Sequence, residues 1–194
     1  MKDKHPGGIS TTSHLFSLAQ LDPCRILDMG AGNGQSVELL RELGFDAVGI
    51  DLLPVHPDFQ TNAAQQFLSE VLLQGDFLRC PFADQSFDAI LSECAFYVSG
   101  NPEAALREAA RLLKPGGMLL LADVSPLPVE THTQTLLEAE FAVKQLKDIT
   151  PLWKEYYLSC IWDGTADELC CCPSASGVPA NAKFCYYLTI CERM

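Results

Sequence analysis

The hydrophobic residues of this chain alternate between stretches with helical spacing and short continuous runs closed by glycine, proline or acidic residues. Between Ile9 and Leu21, apolar side chains recur at Leu15, Phe16, Leu18, Ala19 and Leu21 behind Ser10, Thr11 and Thr12 as candidate caps, which predicts an amphipathic helix. Arg25 to Met29 is an apolar run ending in a glycine cluster and reads as a buried strand. A helix is expected from about Gln35 to Leu43, with Gly44 as its stop. Ala47 to Ile50 forms the next strand and ends at Asp51; a helix is expected over Pro57 to Leu68. Val71 to Leu73 is a short strand leading into Gly75-Asp76, and Phe87 to Leu91 is an apolar run closed by Ser92 and Glu93.

Asn101-Pro102-Glu103 combines a capping side chain, a proline for the first turn and an acid near the positive end of the helix dipole. The helix it starts runs to Leu113, Lys114 to Gly117 make a turn, and Met118 to Val124 is the most hydrophobic strand. Further on, a helix is expected over Thr131 to Glu140, a strand over Phe141 to Leu146 and a helix over Pro151 to Trp162. A Ser/Pro/Gly/Ala loop over Ser174 to Asn181 precedes a final strand at Phe184 to Cys191. Strands alternating with helices of this length imply a parallel sheet covered on both faces, an α/β fold.

Composition narrows the functional classes. A chain of 194 residues, 48% hydrophobic, holds one sizeable core and is expected to be a single domain over 1–194. A formal net charge of -12, with the 13 Lys and Arg scattered, argues against a nucleic-acid backbone as the main partner. The start of the chain, Met1 to Gly8, is polar, and no apolar run approaches the ~20 residues that cross a bilayer, so neither a secretory signal nor a membrane partner is expected. The expected location is cytoplasmic. The nine cysteines are an odd number in a chain of this size and are read as free thiols in a reducing compartment.

The strongest local signal is Ile26-Leu27-Asp28-Met29-Gly30-Ala31-Gly32-Asn33-Gly34. A strand feeding a glycine-rich turn that opens a helix lets backbone amides approach a ligand where side chains would clash. The dinucleotide pattern G-x-G-x-x-G would place its third glycine where Gln35 stands, and Asp28 would repel a pyrophosphate but suits a ligand carrying an ammonium group. Asp51, 17 residues beyond Gly34 and at the end of the second strand, can accept hydrogen bonds from two adjacent ribose hydroxyls, in a nicotinamide or an adenosyl ligand alike.

These residues resemble the first motif of the class I S-adenosylmethionine-dependent methyltransferases, and the likeness continues through Gly49-Ile50-Asp51, Gly75-Asp76-Phe77 with the stretch to Ile90, and Leu112 to Val124. The resemblance covers residues 7–148 well and the rest loosely. It implies a three-layer Rossmann-like fold, a seven-stranded, mostly parallel sheet with an antiparallel last strand, and S-adenosyl-L-methionine as cofactor. On that resemblance Asp28, Gly30, Ala31 and Gly32 would line the methionine and ribose end, and Asp51 with Leu52 the ribose. Asp76 would accept from the adenine amino group and Phe77 would touch the ring. Glu93, Cys94, Phe96 and Tyr97, just past the fourth strand, are expected to face the methyl group, with Glu93 also a cofactor contact, Glu93 a candidate base and Tyr97 a group to orient or deprotonate the acceptor. Asp76 as a turn residue, Phe77 and Phe96 as core aromatics, and Glu93 as a turn cap are the structural alternatives.

The acceptor is expected to be a small molecule, because the surface is acidic and no added recognition domain is evident; a homodimer could supply a missing wall. His5, His14, His56 and His132 show no metal-ligand spacing, and no metal is expected. Trp153, Tyr156, Tyr157, Cys160 and Ile161 form a stripe at helical spacing, either a packing face or a lid over an apolar acceptor. Cys170-Cys171-Cys172 would point in different directions on a helix, although a thiol site for a metalloid, as in arsenite methyltransferases, is an alternative. A non-catalytic adenosyl-ligand-binding accessory protein is the rival from another class, and a nicotinamide oxidoreductase is disfavoured by the glycine spacing.

Overall fold

The computed structural model describes residues 6–52, 70–164 and 183–194. Among these the elements are α1 (Gly8–Ala19), β1 (Arg25–Met29), α2 (Gln35–Glu42), β2 (Asp46–Asp51), β3 (Leu72–Gln74), a single turn at Phe77–Arg79, β4 (Phe87–Glu93), α3 (Pro102–Leu112), β5 (Leu113–Ser125), α4 (Val129–Glu138), β6 (Phe141–Asp148), α5 (Thr150–Trp162) and β7 (Cys185–Arg193). The helix expected over Pro57 to Leu68, the Ser174 to Asn181 loop and Cys170 to Cys172 lie outside the described residues.

Seven strands form one sheet in the order β3-β2-β1-β4-β5-β7-β6. The ladders among the first five are parallel, while β7 runs antiparallel to both neighbours, β5 and β6. Because successive strand residues face opposite sides, Ile26, Ala89, Leu91, Leu120 and Ala122 pack on one face with Leu15, Val37, Leu40 and Trp153 from α1, α2 and α5. Leu27, Ile90, Leu119 and Leu121 pack on the other with Leu106, Ala109 and Leu136 from α3 and α4. Burial on both faces is why these strands read as continuous apolar runs rather than alternating ones.

Four local departures from the sequence expectation have identifiable causes. None of Ser10, Thr11 and Thr12 caps α1; the helix starts at Gly7, φ 76°, while Thr11 donates to the Pro6 carbonyl (2.7 Å) and Thr12 is fully enclosed. The Lys114 to Gly117 turn lies inside β5: Leu113 pairs with Phe87 and Met118 with Ala89, so five residues of β5 advance against two of β4. A Cβ at Gly117 would stand 2.9 Å from the Lys114 carbonyl and 3.0 Å from that of Asp88, and Lys114 is tied to Asp88 at 2.6 Å. The helix expected from Thr131 begins two residues earlier, behind Pro128, and stops before Glu140, whose φ of 68° is left-handed. β6 extends past Leu146 because Lys147 and Asp148 pair with Leu188 and Tyr187 of β7, which gives polar residues a ladder the pattern does not predict.

Candidate functional site

Beyond the carboxyl end of β1 the chain turns back over β2. The amides of Gly30 and Ala31 both donate to the Ile50 carbonyl, at 2.9 and 3.2 Å. Gly30, Gly32 and Gly34 all take positive φ (92°, 55° and 84°), the region glycine enters without strain. A Cβ at Gly30 would sit 2.3 Å from the Ala95 Cβ, so the loop lies flush against the turn after β4; one at Gly32 would project into open space. The Gly32 amide donates to the Asp51 carboxylate at 2.8 Å, which joins the glycine loop to the acid at the end of β2. Gly34 then opens α2 without a side-chain cap.

This loop is one wall of a cavity of about 440 Å³ at the carboxyl ends of β1, β2 and β4. Asp28, Gly30, Ala31 and Gly32 line it, with Asp51 and Leu52 from the end of β2, Asp76 and Phe77 from the turn after β3, and Glu93 from the end of β4. Four carboxyl groups face it, and no lysine, arginine or histidine does among the described residues. Such a site attracts a cationic ligand and repels a pyrophosphate. Asp28 is 3% exposed, and burial, then Glu93 and Asp51, hold its carboxyl well above the usual range. Asp76 and Phe77 combine both readings made of them: Asp76 caps the Phe77–Arg79 turn by accepting from Leu78 (2.9 Å), and Phe77 stacks on Phe96 with ring centres 6.0 Å apart, while both also line the cavity.

Glu93 is held by two other elements. The enclosed Thr12 hydroxyl of α1 donates to its Oε2 at 2.8 Å, and Ser36 at the start of α2 reaches the same oxygen at 3.3 Å. Ile9 adds an apolar side chain from α1 to the cavity wall. Ile9 carries no sequence signal for this position, and only the docking of α1 brings it there, whereas Ser36 follows the glycine loop directly in the chain as the second residue of α2.

The turn after β4 divides its residues. Cys94, Ala95, Val98 and Ser99 line the large cavity, with Cys94 left-handed (φ 54°), its Sγ 3.0 Å from the Tyr186 hydroxyl. Phe96 is 2% exposed in the core and Tyr97 8%, and both line a second cavity instead, so neither faces the large one as the sequence predicts. The physical reason is the tight turn, closed by the Ser99 amide on the Ala95 carbonyl at 3.0 Å, which sets Ala95, Val98 and Ser99 on one side and Phe96 and Tyr97 on the other, and the Tyr97 amide is pinned by the Asp123 carboxylate at 2.9 Å. Burial and Asp123 also push the Tyr97 hydroxyl up, against a role as a base at neutral pH.

No cluster of three or more metal-ligating side chains occurs among the described residues. Burial pushes the Cys80 and Cys191 thiols up to about 12, which keeps them protonated. In the α5 stripe Trp153 and Cys160 are buried, but Ile161 is half exposed, and the helix lines neither cavity. No helix among the described residues is long and apolar enough to cross a membrane.

Comparison with known proteins agrees with this geometry. The family described as a methyltransferase domain matches residues 27–121. The chain is 36% identical over 107 residues to the malonyl-acyl-carrier protein O-methyltransferase 1 of Coxiella burnetii, covering 55% of this chain and 36% of that protein. It is 32% identical over 152 residues to the demethylmenaquinone methyltransferase of Corynebacterium kroppenstedtii, covering 75% of this chain and 64% of that one. The matches thus span less than two thirds of either relative. Among solved structures it shares its fold with the 4+2 cyclase SpnF, with a TM-score of 0.67 and 21% identity over 94% of this chain and 79% of that one.

Proposed function

Because this chain belongs to the class I S-adenosylmethionine-dependent methyltransferases, we propose that it transfers the methyl group of that cofactor to a small-molecule acceptor. The observation that carries the reading is the cavity at the carboxyl ends of β1, β2 and β4, which four carboxyl groups and, among the described residues, no cationic side chain line. The residues present suit the cofactor: a sulfonium and an ammonium need anionic surroundings, and the glycine loop leaves open space at Gly32 for close approach. When bound, the cofactor supplies an already activated methyl group, for an in-line displacement.

What the chain supplies is position and dryness. Asp28 faces the ammonium, Gly30, Ala31 and Gly32 pass close to the methionine moiety, and Asp51 with Leu52 lies along the ribose. Asp76 accepts from the adenine amino group and Phe77 meets the ring. Glu93, oriented by Thr12 and Ser36, is the group at the reacting end placed to hold or take a proton if the acceptor must lose one. The small-molecule class of acceptor is supported by the demethylmenaquinone relative, whose name states a small substrate.

Titration with S-adenosylhomocysteine by calorimetry, with NAD alongside, tests the reading. The homocysteine compound is expected to bind saturably and NAD not at all, and Asp51→Ala to weaken binding by about 1–3 kcal/mol, roughly five- to a hundred-and-sixtyfold. Preference for NAD, or an Asp51→Ala variant that binds as the parent does, would overturn it. A second reading, a protein of this fold that binds the cofactor without transferring its methyl group, is compatible with the shared fold, which does not by itself fix the activity. Retained affinity without turnover across an acceptor panel would select it.

A further inference from the structure

Along α1, Ile9, Thr12 and Phe16 recur at i, i+3 and i+7 and so share one stripe of the helix. Phe16 enters the core, its ring 5.5 Å from that of Phe45, and Thr12 donates to Glu93. Ile9, one turn before Thr12, carries the stripe out of the core and onto the wall of the cofactor cavity, with 43% of its surface exposed. Helix neighbours three residues apart stand about 5–6 Å from each other at Cβ, so Ile9 lies at the Glu93 end of that cavity. We infer that the methyl acceptor enters at this end, lays an apolar group against Ile9 and carries no anionic group beside its reacting atom. The inference rests on the cavity being the cofactor site and Glu93 its reacting end, and adds to that reading the class of acceptor.

The side chains around Glu93 supply the selection. Thr12 and Ser36, which reach it by hydrogen bonds, and Cys94, which follows it in the chain, are uncharged. An apolar group that covers Ile9 takes the exposed part of that side chain out of water, which favours binding. A phosphate or carboxylate at the same place would give up its hydration and meet the Glu93 carboxylate instead. No lysine, arginine or histidine lines the cavity among the described residues. The start of α1 is no substitute for one. Its first turn closes on itself: the Ser10 amide donates to the Gly7 carbonyl at 3.1 Å, and the Thr11 hydroxyl to that of Pro6 at 2.7 Å. The stretches 53–69 and 165–182 contain no lysine or arginine in sequence, so Lys2 and Lys4, with Asp3 between them, are the only such cations outside the described residues.

Two probes with similar apolar bodies and different heads, 1-butanol and butyrate, test this. Each is titrated at neutral pH into the protein saturated with S-adenosylhomocysteine, while the isoleucine δ1 methyl signals are followed by NMR. The Ile9 signal is assigned by its loss in Ile9→Ala. Butanol is expected to shift it saturably, and butyrate at least tenfold more weakly. Ile9→Ala should weaken butanol binding at least threefold, read by saturation transfer to butanol. Ile161→Ala, at a half-exposed position on α5 that lines neither cavity, should leave it unchanged. Bound S-adenosylhomocysteine reports that each variant is folded. Butyrate binding as well as butanol would overturn the charge assignment. No butanol shift at the Ile9 methyl, or an affinity that Ile9→Ala leaves unchanged, would overturn the contact, and butanol that expels S-adenosylhomocysteine would overturn the acceptor role. Failure of S-adenosylhomocysteine to bind the parent at all would instead count against the cofactor reading, with the two titrations of the ligand-free protein still reporting on Ile9 and on charge.

Discussion

Asp28 is enclosed at the end of β1 beside Glu93 and Asp51, so its ionised form is disfavoured in the folded chain. The folded carboxyl therefore holds its proton to higher pH than the unfolded one. Stability rises as pH falls through that raised value, and the gain is complete once the unfolded carboxyl, near pH 4, is protonated too. Asp28→Asn should raise stability at pH 7–8 by about 1–2 kcal/mol, with the advantage shrinking as the pH is lowered; thermal unfolding across pH measures it. The same change should weaken S-adenosylhomocysteine binding and flatten the pH dependence of affinity, because an ammonium favours the ionised acid. A variant less stable at pH 8, or one binding as tightly as the parent, would contradict this account. Asp28 and Asp51 are legible in sequence because strand ends beside a glycine turn are recognisable positions. Tyr97 is not, since nothing local states which way a tight turn will rotate it.

At the level of elements, α1 is held to the site by one buried hydroxyl, Thr12 on Glu93. Removing a hydrogen bond to a charged group costs about 1.5–3 kcal/mol. Thr12→Val should therefore lower stability by that order and speed amide exchange across residues 8–19, while Thr12→Ser restores both. Unchanged exchange in α1 would show that packing of Leu15 and Phe16 suffices. The polar run Ser10 to Thr12, which lies inside this helix, reads in sequence as its cap, a favoured use of Ser and Thr. Here a tertiary partner 81 residues away claims Thr12 instead. By contrast, the start of α3 is a purely local device and is found where expected: Asn101 accepts from Ala104 at 3.1 Å with Pro102 in the first turn.

For the whole molecule the decisive strand is the last. β7 lies inside the sheet, paired along its length with β5 and along most of it with β6, and carries the enclosed Tyr186, Ile190 and Cys191. Deleting residues 185–194 would leave β6 unpaired and both core layers open, so the shortened chain should show no cooperative thermal transition; a single sharp transition near that of the parent would refute this. The order of the described helices and strands, the strand identities and the placing of Asp28 and Asp51 at strand ends were determined by the sequence alone, because hydrophobic period, glycine turns and caps act between residues close in the chain. The tertiary structure alone decided the insertion of β7 between β5 and β6, the Thr12–Glu93 tie, the exclusion of Tyr97 from the large cavity and the second cavity beside His132. Each of these depends on residues that meet only when the sheet is assembled, where side-chain direction follows from packing and register rather than from local spacing.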